Sequence, residues 1–273
     1  MHPTSLTAGQ KSRLHQLTQF THHRLLILPL DQGLEHGPQD FLPHPHSWDT
    51  HHLYPLAHLI PFSAVALHIG LAEKHQGQKS DVPWILKLNG KTPIPQGSPP
   101  FAALSAQVED ALRLNAQAVG DTLDVGSARQ DDDMEQCERV RRQAHRHGLP
   151  VIVWAYPRGE HVDRQGGPNH PLMVQYAARV AQELGAATWK VNVPQADMEH
   201  LQEHLHTILL AAGPTKVVFA GGELTEENQV LQTARMVLQA GAAGLMFGRN
   251  VWQRPLEEAL ALSRQLLHLL RDV

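Results

Sequence analysis

The chain is poor in several features, and each shortage narrows what it does. It has one cysteine, Cys137, in a polar stretch that reads as helix, so no disulfide framework exists and a reducing compartment fits. No run approaches the ~18 apolar residues of a membrane helix. The N-terminus, Met1 to His23, is polar and lacks the apolar core of a secretion signal. The expectation is a cytoplasmic protein with no membrane partner. Lysine and arginine are scattered and the formal net charge is −4, so nothing invites nucleic acid. No composition shift or low-complexity segment divides the 273 residues. That length suits two average domains or one α/β barrel of ~250 residues.

Histidine is unusually frequent, with 20 copies, in a chain of charged content 18% and hydrophobic content 42%. Many fall in polar stretches, among them His22-His23, His44, His46, His51-His52, His145, His147, His200, His204 and His206. His200 and His204 are one helical turn apart, a spacing that suits a metal. No HExxH-type pattern accompanies them, and exposed compositional bias is the simpler account. No metal ligand set is assigned.

Eight apolar or alternating runs read as strands. They are Leu25 to Asp31, Ala64 to Gly70, Pro83 to Asn89, Ala118 to Val125, Pro150 to Pro157, Thr188 to Asn192, Lys216 to Gly222 and Ala243 to Gly248. Helical spacing lies between and after them, over Ala102 to Asn115, Asp131 to His147, Leu172 to Leu184, Gln195 to Ala212, Thr225 to Gln239 and Leu256 to Leu270. In the first of these helices Leu104, Val108, Leu112 and Leu114 are available for a buried face. The stretch from Phe41 to His58 is rich in Pro and His and predicts a long first connection. Regular alternation of this kind makes an α/β fold, a single (β/α)8 barrel over residues 1–273 with residues 1–24 as a helical N-terminal extension. A doubly wound open sheet is the rival, and eight even units fit closure better.

The sixth strand holds an amine. Alternation puts Trp189, Val191 and Val193 on one face and Thr188, Lys190 and Asn192 on the other. A lysine there either snorkels to water or is desolvated, and desolvation lowers its pKa toward a neutral, nucleophilic amine. Other strands also turn polar on one face near their C-terminal ends. The first ends in Asp31, the second has His68, the third Lys87 and Asn89, and the fifth Trp154, Tyr156 and Arg158. In a barrel those ends converge where active sites lie. The seventh and eighth strands end in Gly221-Gly222 and Gly248-Arg249, where bare backbone and an arginine suit an anion at the fold's usual phosphate position.

Together these residues suit amine catalysis. Lys190 would attack a ketone and pass through a carbinolamine to an iminium, an electron sink that lets the adjacent C–C bond cleave. Tyr156 and Asp31 are the candidates for proton transfer. Two roles stand open for Lys87: holding Lys190 neutral by repulsion, or binding a phosphate or hydroxyl.

With these residues in hand, the chain resembles the archaeal-type class I fructose-bisphosphate aldolases, the group related to deoxyribose-phosphate aldolase. The match runs from about Leu25 to Pro255. Its strongest pieces are Asp31-Gln32-Gly33-Leu34-Glu35-His36-Gly37-Pro38, Lys87-Leu88-Asn89-Gly90-Lys91-Thr92, Tyr156-Pro157-Arg158-Gly159, Gly221-Gly222 and the run Gly248 to Pro255. The resemblance implies Lys190 as the Schiff-base lysine and Tyr156 as general acid/base. It also implies Asp31 at a substrate hydroxyl, Trp154 lining the pocket, and the two glycine loops with Arg249 holding a phosphate. It further implies a small phosphorylated sugar as substrate, no cofactor beyond the covalent imine, no metal, and a homo-oligomer. Two positions depart from the pattern: Ala220 stands where the family often has serine, and Glu223 follows the glycine pair. Three other readings remain: a related Schiff-base enzyme of transaldol or thiolase type, a zinc-dependent aldolase, and a non-catalytic barrel that binds a phosphorylated metabolite.

Overall fold

Eight parallel strands close on one another in chain order, β1 Leu25–Pro29, β2 Ala64–His68, β3 Trp84–Lys87, β4 Ala118–Val125, β5 Val151–Pro157, β6 Thr188–Asn192, β7 Lys216–Ala220 and β8 Gly244–Met246, with β8 returning to β1. This is the (β/α)8 barrel that the alternation predicts. The structure is a computed structural model and describes residues 6–21, 23–47, 53–77, 81–94 and 97–272.

The period-2 pattern splits the apolar residues into two cores. Leu25, Ile27, Ala66, Ile85, Ile152, Trp154 and Val218 point inward, while Leu26, Val65, Leu86, Val153, Trp189 and Phe219 point outward against the helices. Before the barrel, α1 (Ala8–Thr18) is capped by Thr7, whose hydroxyl accepts from Gln10 N at 3.2 Å. Its Leu14 and Leu17 join the inner core and stopper the N-terminal end, while Gln10 donates to the Leu149 carbonyl at 3.2 Å. Active chemistry is thereby confined to the other end.

The connections differ from the sequence reading in instructive places. The first contains α2 (Gln32–His36), a short 3-10 turn at Pro45–Ser47 and α3 (Leu53–Leu59); His22, His51 and His52 lie outside the described residues. After β2 comes α4 (Ile69–His75), which takes Ile69 and Gly70 from the run read as the second strand. The helix expected over Ala102 to Asn115 shrinks to α5 (Val108–Arg113), and Ala103–Leu104 instead pairs antiparallel with Asn89–Gly90. The Leu88 carbonyl accepts from Ser105 N and Ala106 N at 2.7 and 3.0 Å, so backbone partners from β3 outbid the local helix. Leu104 and Leu112, expected in a buried face, are exposed as a result, while Val108 and Leu114 are buried. The expected helices follow in order, α6 (Gln130–Arg146), α8 (Pro171–Glu183), α9 (Met198–Ala212), α10 (Glu227–Gln239) and α12 (Leu256–Asp272), while two short helices not read from the sequence, α7 (Glu160–Arg164) and α11 (Arg249–Trp252), sit in the loops after β5 and β8.

One inner position has no side chain because two large neighbours need the space. A Cβ on Gly120 of β4 would sit 2.7 Å from Trp154 Cζ3 and 2.9 Å from Lys87 Cδ. Gly120→Ala is expected to overpack the barrel and cost ~1–3 kcal/mol. Thermal denaturation reads this directly, at about 2–4 °C per kcal/mol for a domain near this size.

Candidate active site

Register sets the centre of the site. Lys190 lies beside Trp154 across the β5–β6 pair, and Tyr156 stands one inward step above Trp154. All three are buried. The Lys190 ammonium lies 5.6 Å from the Trp154 ring centroid and donates to the Tyr156 hydroxyl. Snorkelling is therefore not how this lysine is accommodated.

The electrostatics are set by burial first. Desolvation pushes Lys190 down to about 8, with Lys87 and Arg158 pushing the same way and Asp31 and Glu35 opposing. Repulsion from Lys87 is thus one of the smaller reasons that the amine loses its proton easily. Tyr156 is pushed well above the usual phenol range by burial, then by Glu35 and Asp31, so its hydroxyl is protonated at neutral pH. For Asp31, burial raises the carboxyl, but Lys87, Lys190 and His68 together outweigh it and hold the group below its ordinary value. His68 is driven down to about 4 by burial and by Lys87, which leaves its ring neutral.

Around this centre runs a chain of charges. Lys87 Nζ is 3.7 Å from Asp31 Oδ2 and 4.0 Å from Glu35 Oε1. Arg158 Nη2 is 3.5 Å from Glu35 Oε2, and Arg158 Nε is 3.3 Å from Asp124 Oδ1. Arg158 also lies 5.0 Å from the Tyr156 ring centroid. Lys87 lies 4.7 Å from the Trp154 ring centroid, and both side chains are buried below the cavity rather than on its open lining. Asp31 itself is not a strand residue, because β1 ends at Pro29 and Asp31 precedes the first turn of α2.

Above the amine is a cavity lined by Asp31, Glu35, Tyr156, Arg158 and Lys190 on one side and by Gly221, Gly222, Gly248 and Arg249 on the other. Gly222 adopts φ +71, the left-handed region that favours glycine. A Cβ on Gly248 would meet Gln32 Nε2 at 2.6 Å and Pro29 Cγ at 2.8 Å. The glycine loop after β7 is shaped by Asn250, whose amide nitrogen donates to the carbonyls of Gly221 and Glu223 at 2.8 and 2.7 Å. Its oxygen accepts from Thr225 N at 2.9 Å. Glu223 is exposed and does not line this cavity. A second cavity of about 590 Å³ adjoins the first across Asn192, Ala220, Gly221, Gly222 and Arg249.

The structure thus gathers Lys190, Tyr156, Asp31, Arg158, the two glycine loops and Arg249 around one space, with Lys87 and Trp154 as its underlayer. Asn89 shares the inward face of Lys87 but serves the backbone: it accepts from Thr122 N at 2.6 Å and donates to Thr122 O at 2.9 Å. Glu35 and Asp124 were missed as individual site residues. Glu35 carries a faint sequence signal, a carboxylate four residues after Asp31 on a one-turn helix. Asp124 was hidden inside an apolar strand, although its inward parity with Gly120 and Thr122 was readable. It is braced by Asp133 of α6, whose carboxylate accepts from Asp124 N at 3.2 Å and from Ala102 N at 3.3 Å. Among the described residues no cluster of three or more His, Cys, Asp or Glu is placed to hold a metal, and His200 pairs with Asp197 at 2.7 Å. Among them, too, no helix is long and apolar enough to cross a membrane.

Known proteins share this fold and much of this sequence. The model of the DeoC/LacD family aldolases matches residues 25–254. The fructose-bisphosphate aldolase class 1 of Thermoproteus tenax is 39% identical over 245 residues, covering 89% of this chain and 88% of that protein. The fructose-bisphosphate aldolase/6-deoxy-5-ketofructose 1-phosphate synthase of Methanocaldococcus jannaschii is 32% identical over 257 residues, covering 90% of this chain and 81% of that protein. An archaeal fructose-1,6-bisphosphate aldolase, solved with its catalytic lysine covalently bound to the carbinolamine intermediate of the substrate, superposes with a TM-score of 0.84 at 36% identity and covers 94% of this chain and 99% of that one. With nearly the whole barrel matched in sequence and in structure, the chain belongs to the DeoC/LacD family of aldolases.

Proposed function

We propose that the protein is a class I aldolase that reversibly cleaves fructose 1,6-bisphosphate to dihydroxyacetone phosphate and glyceraldehyde 3-phosphate through an imine on Lys190. One observation carries the reading: a buried amine pushed down to about 8, in contact with a buried tyrosine hydroxyl, at the foot of a cavity rimmed by glycine loops and an arginine. The names of the relatives supply the substrate.

In this reading the neutral Lys190 amine adds to the C2 carbonyl, and the carbinolamine loses water to give the iminium. A base removes the proton of the C4 hydroxyl, the C3–C4 bond breaks, and its electron pair is taken up as the enamine while the aldehyde leaves. Protonation of the enamine at C3 and hydrolysis then release dihydroxyacetone phosphate and restore the amine. Tyr156, which touches the amine, is suited to the proton transfers at nitrogen and C3. Asp31, held below its ordinary value chiefly by Lys87 and Lys190, is suited to the hydroxyl. Gly221, Gly222, Gly248 and Arg249 suit the C1 phosphate, and Arg158 the leaving half. A cytoplasmic setting and self-association complete the proposal. The second activity in the name of the M. jannaschii relative supports a runner-up, a related condensation of another phosphorylated ketose on the same lysine.

Borohydride reduction in the presence of dihydroxyacetone phosphate, followed by peptide mass mapping, tests the core of the proposal. The expected product is a stable adduct on Lys190. An adduct on Lys87 would move the chemistry to another strand, and no adduct at all would end the imine mechanism. With the adduct in hand, cleavage assays on fructose 1,6-bisphosphate separate the leading reading from the runner-up.

A further inference from the structure

Asp40 lies outside the cavity lining, yet it holds two side chains that are part of it. Its Oδ2 is 2.5 Å from Nδ1 of His36, and its Oδ1 is 3.7 Å from Nη1 of Arg249. His36 closes α2 above β1, and Arg249 opens α11 after β8, so one carboxylate spans the seam where the barrel closes. The turn that carries Asp40 is itself fastened to α11. Gln253 Nε2 donates to the Asp40 carbonyl at 2.8 Å, and Phe41 stacks on Trp252 with centroids 4.9 Å apart and planes at 17°. A carboxylate on one imidazole nitrogen orients the ring and leaves Nε2 for a ligand. The same carboxylate limits the rotamers of a long arginine that would otherwise be ordered only when an anion arrives.

Resting on the aldolase reading above, we propose that Asp40 is a positioning residue that sets the preference for a phosphorylated donor, by holding His36 and Arg249 toward the pole of the cavity formed by the glycine loops. His36 thereby joins the phosphate contacts through Nε2. Asp40 touches neither the amine nor the C–C bond, so its contribution falls on recognition of the phosphate rather than on the bond-breaking step.

The test compares two donors in the condensation direction, with glyceraldehyde 3-phosphate as acceptor. In Asp40→Asn, KM for dihydroxyacetone phosphate is expected to rise by roughly tenfold or more, the scale of one lost charge-assisted contact, with kcat changed much less. Kinetics with unphosphorylated dihydroxyacetone should stay at the wild-type level, and inorganic phosphate should weaken as a competitive inhibitor. A purely structural role would lower both donors alike, and that result, or an unchanged donor ratio, overturns the proposal. Should Asp40→Asn fail to fold, Asp40→Ser carries the same comparison: it must reduce the phosphorylated donor selectively. Trapping of dihydroxyacetone phosphate on wild-type Lys190 separates the two levels. An adduct with an unchanged donor ratio in the variants refutes only the role of Asp40, whereas no adduct refutes the aldolase reading and this proposal with it.

Discussion

Lys190→Met is expected to lower the turnover of fructose 1,6-bisphosphate by at least about 10⁴-fold, because no other group can take over a covalent step once the nucleophile is gone. Methionine keeps the length and apolar stem of the side chain but cannot form the imine. The variant should fold at least as well as the wild type, since the amine it removes is buried and desolvated at 6% exposure. A coupled assay of dihydroxyacetone phosphate release and a denaturation curve check the two halves. Loss of activity with loss of fold would leave the assignment without support; loss of activity alone is the expected pattern. The pH profile of the wild type carries the same logic. Below about 8, Lys190 is mostly ammonium, so imine formation should rise about tenfold per pH unit and level off above that value. The main cause of this low value is burial, so removing the Lys87 charge should move the break in the profile upward only in part.

Tyr156→Phe is the second large effect, expected to slow turnover by roughly 10²- to 10⁴-fold, the range for removal of a positioned acid/base group. The ring is retained, and with it the face beside the Arg158 guanidinium, so the barrel should stay intact. What is lost is the hydroxyl in contact with Lys190. Because the amine remains, borohydride should still trap an adduct on Lys190, and exchange of the C3 proton of dihydroxyacetone phosphate should fall in step with turnover. An adduct that disappears with the hydroxyl would assign Tyr156 to imine formation rather than to carbon protonation. Unchanged turnover would take it out of the mechanism.

The chain order of β1 to β8, the inward direction of Lys190, Trp154 and Tyr156, and the glycine loops after β7 and β8 were all legible from residue spacing. Strand periodicity is a local property, and a period of 2 assigns each side chain to a face before any partner is known. The same logic failed where a local pattern met a stronger distant partner. Leu104 and Leu112 had helical spacing, but the free Leu88 carbonyl at the end of β3 drew the chain into extended pairing, and the helix started later.

Equal parity also hid unequal fates. Lys87 and Asn89 share one parity in the run read as the third strand, yet Lys87 ends β3 among carboxylates and an indole, and Asn89 lies beyond it and bonds to the Thr122 backbone. What sequence by itself determined here is the barrel and an amine on the polar face of its sixth strand near the C-terminal end, because both follow from strand periodicity. The choice between snorkelling and desolvation fell to the tertiary structure, which buries Lys190. What only the tertiary structure decided is the company that amine keeps. Glu35, Asp124, Gly120 and Asp40 act on residues of distant strands and loops, and the electrostatics that shift Lys190 depend on three-dimensional separation rather than on position in the chain.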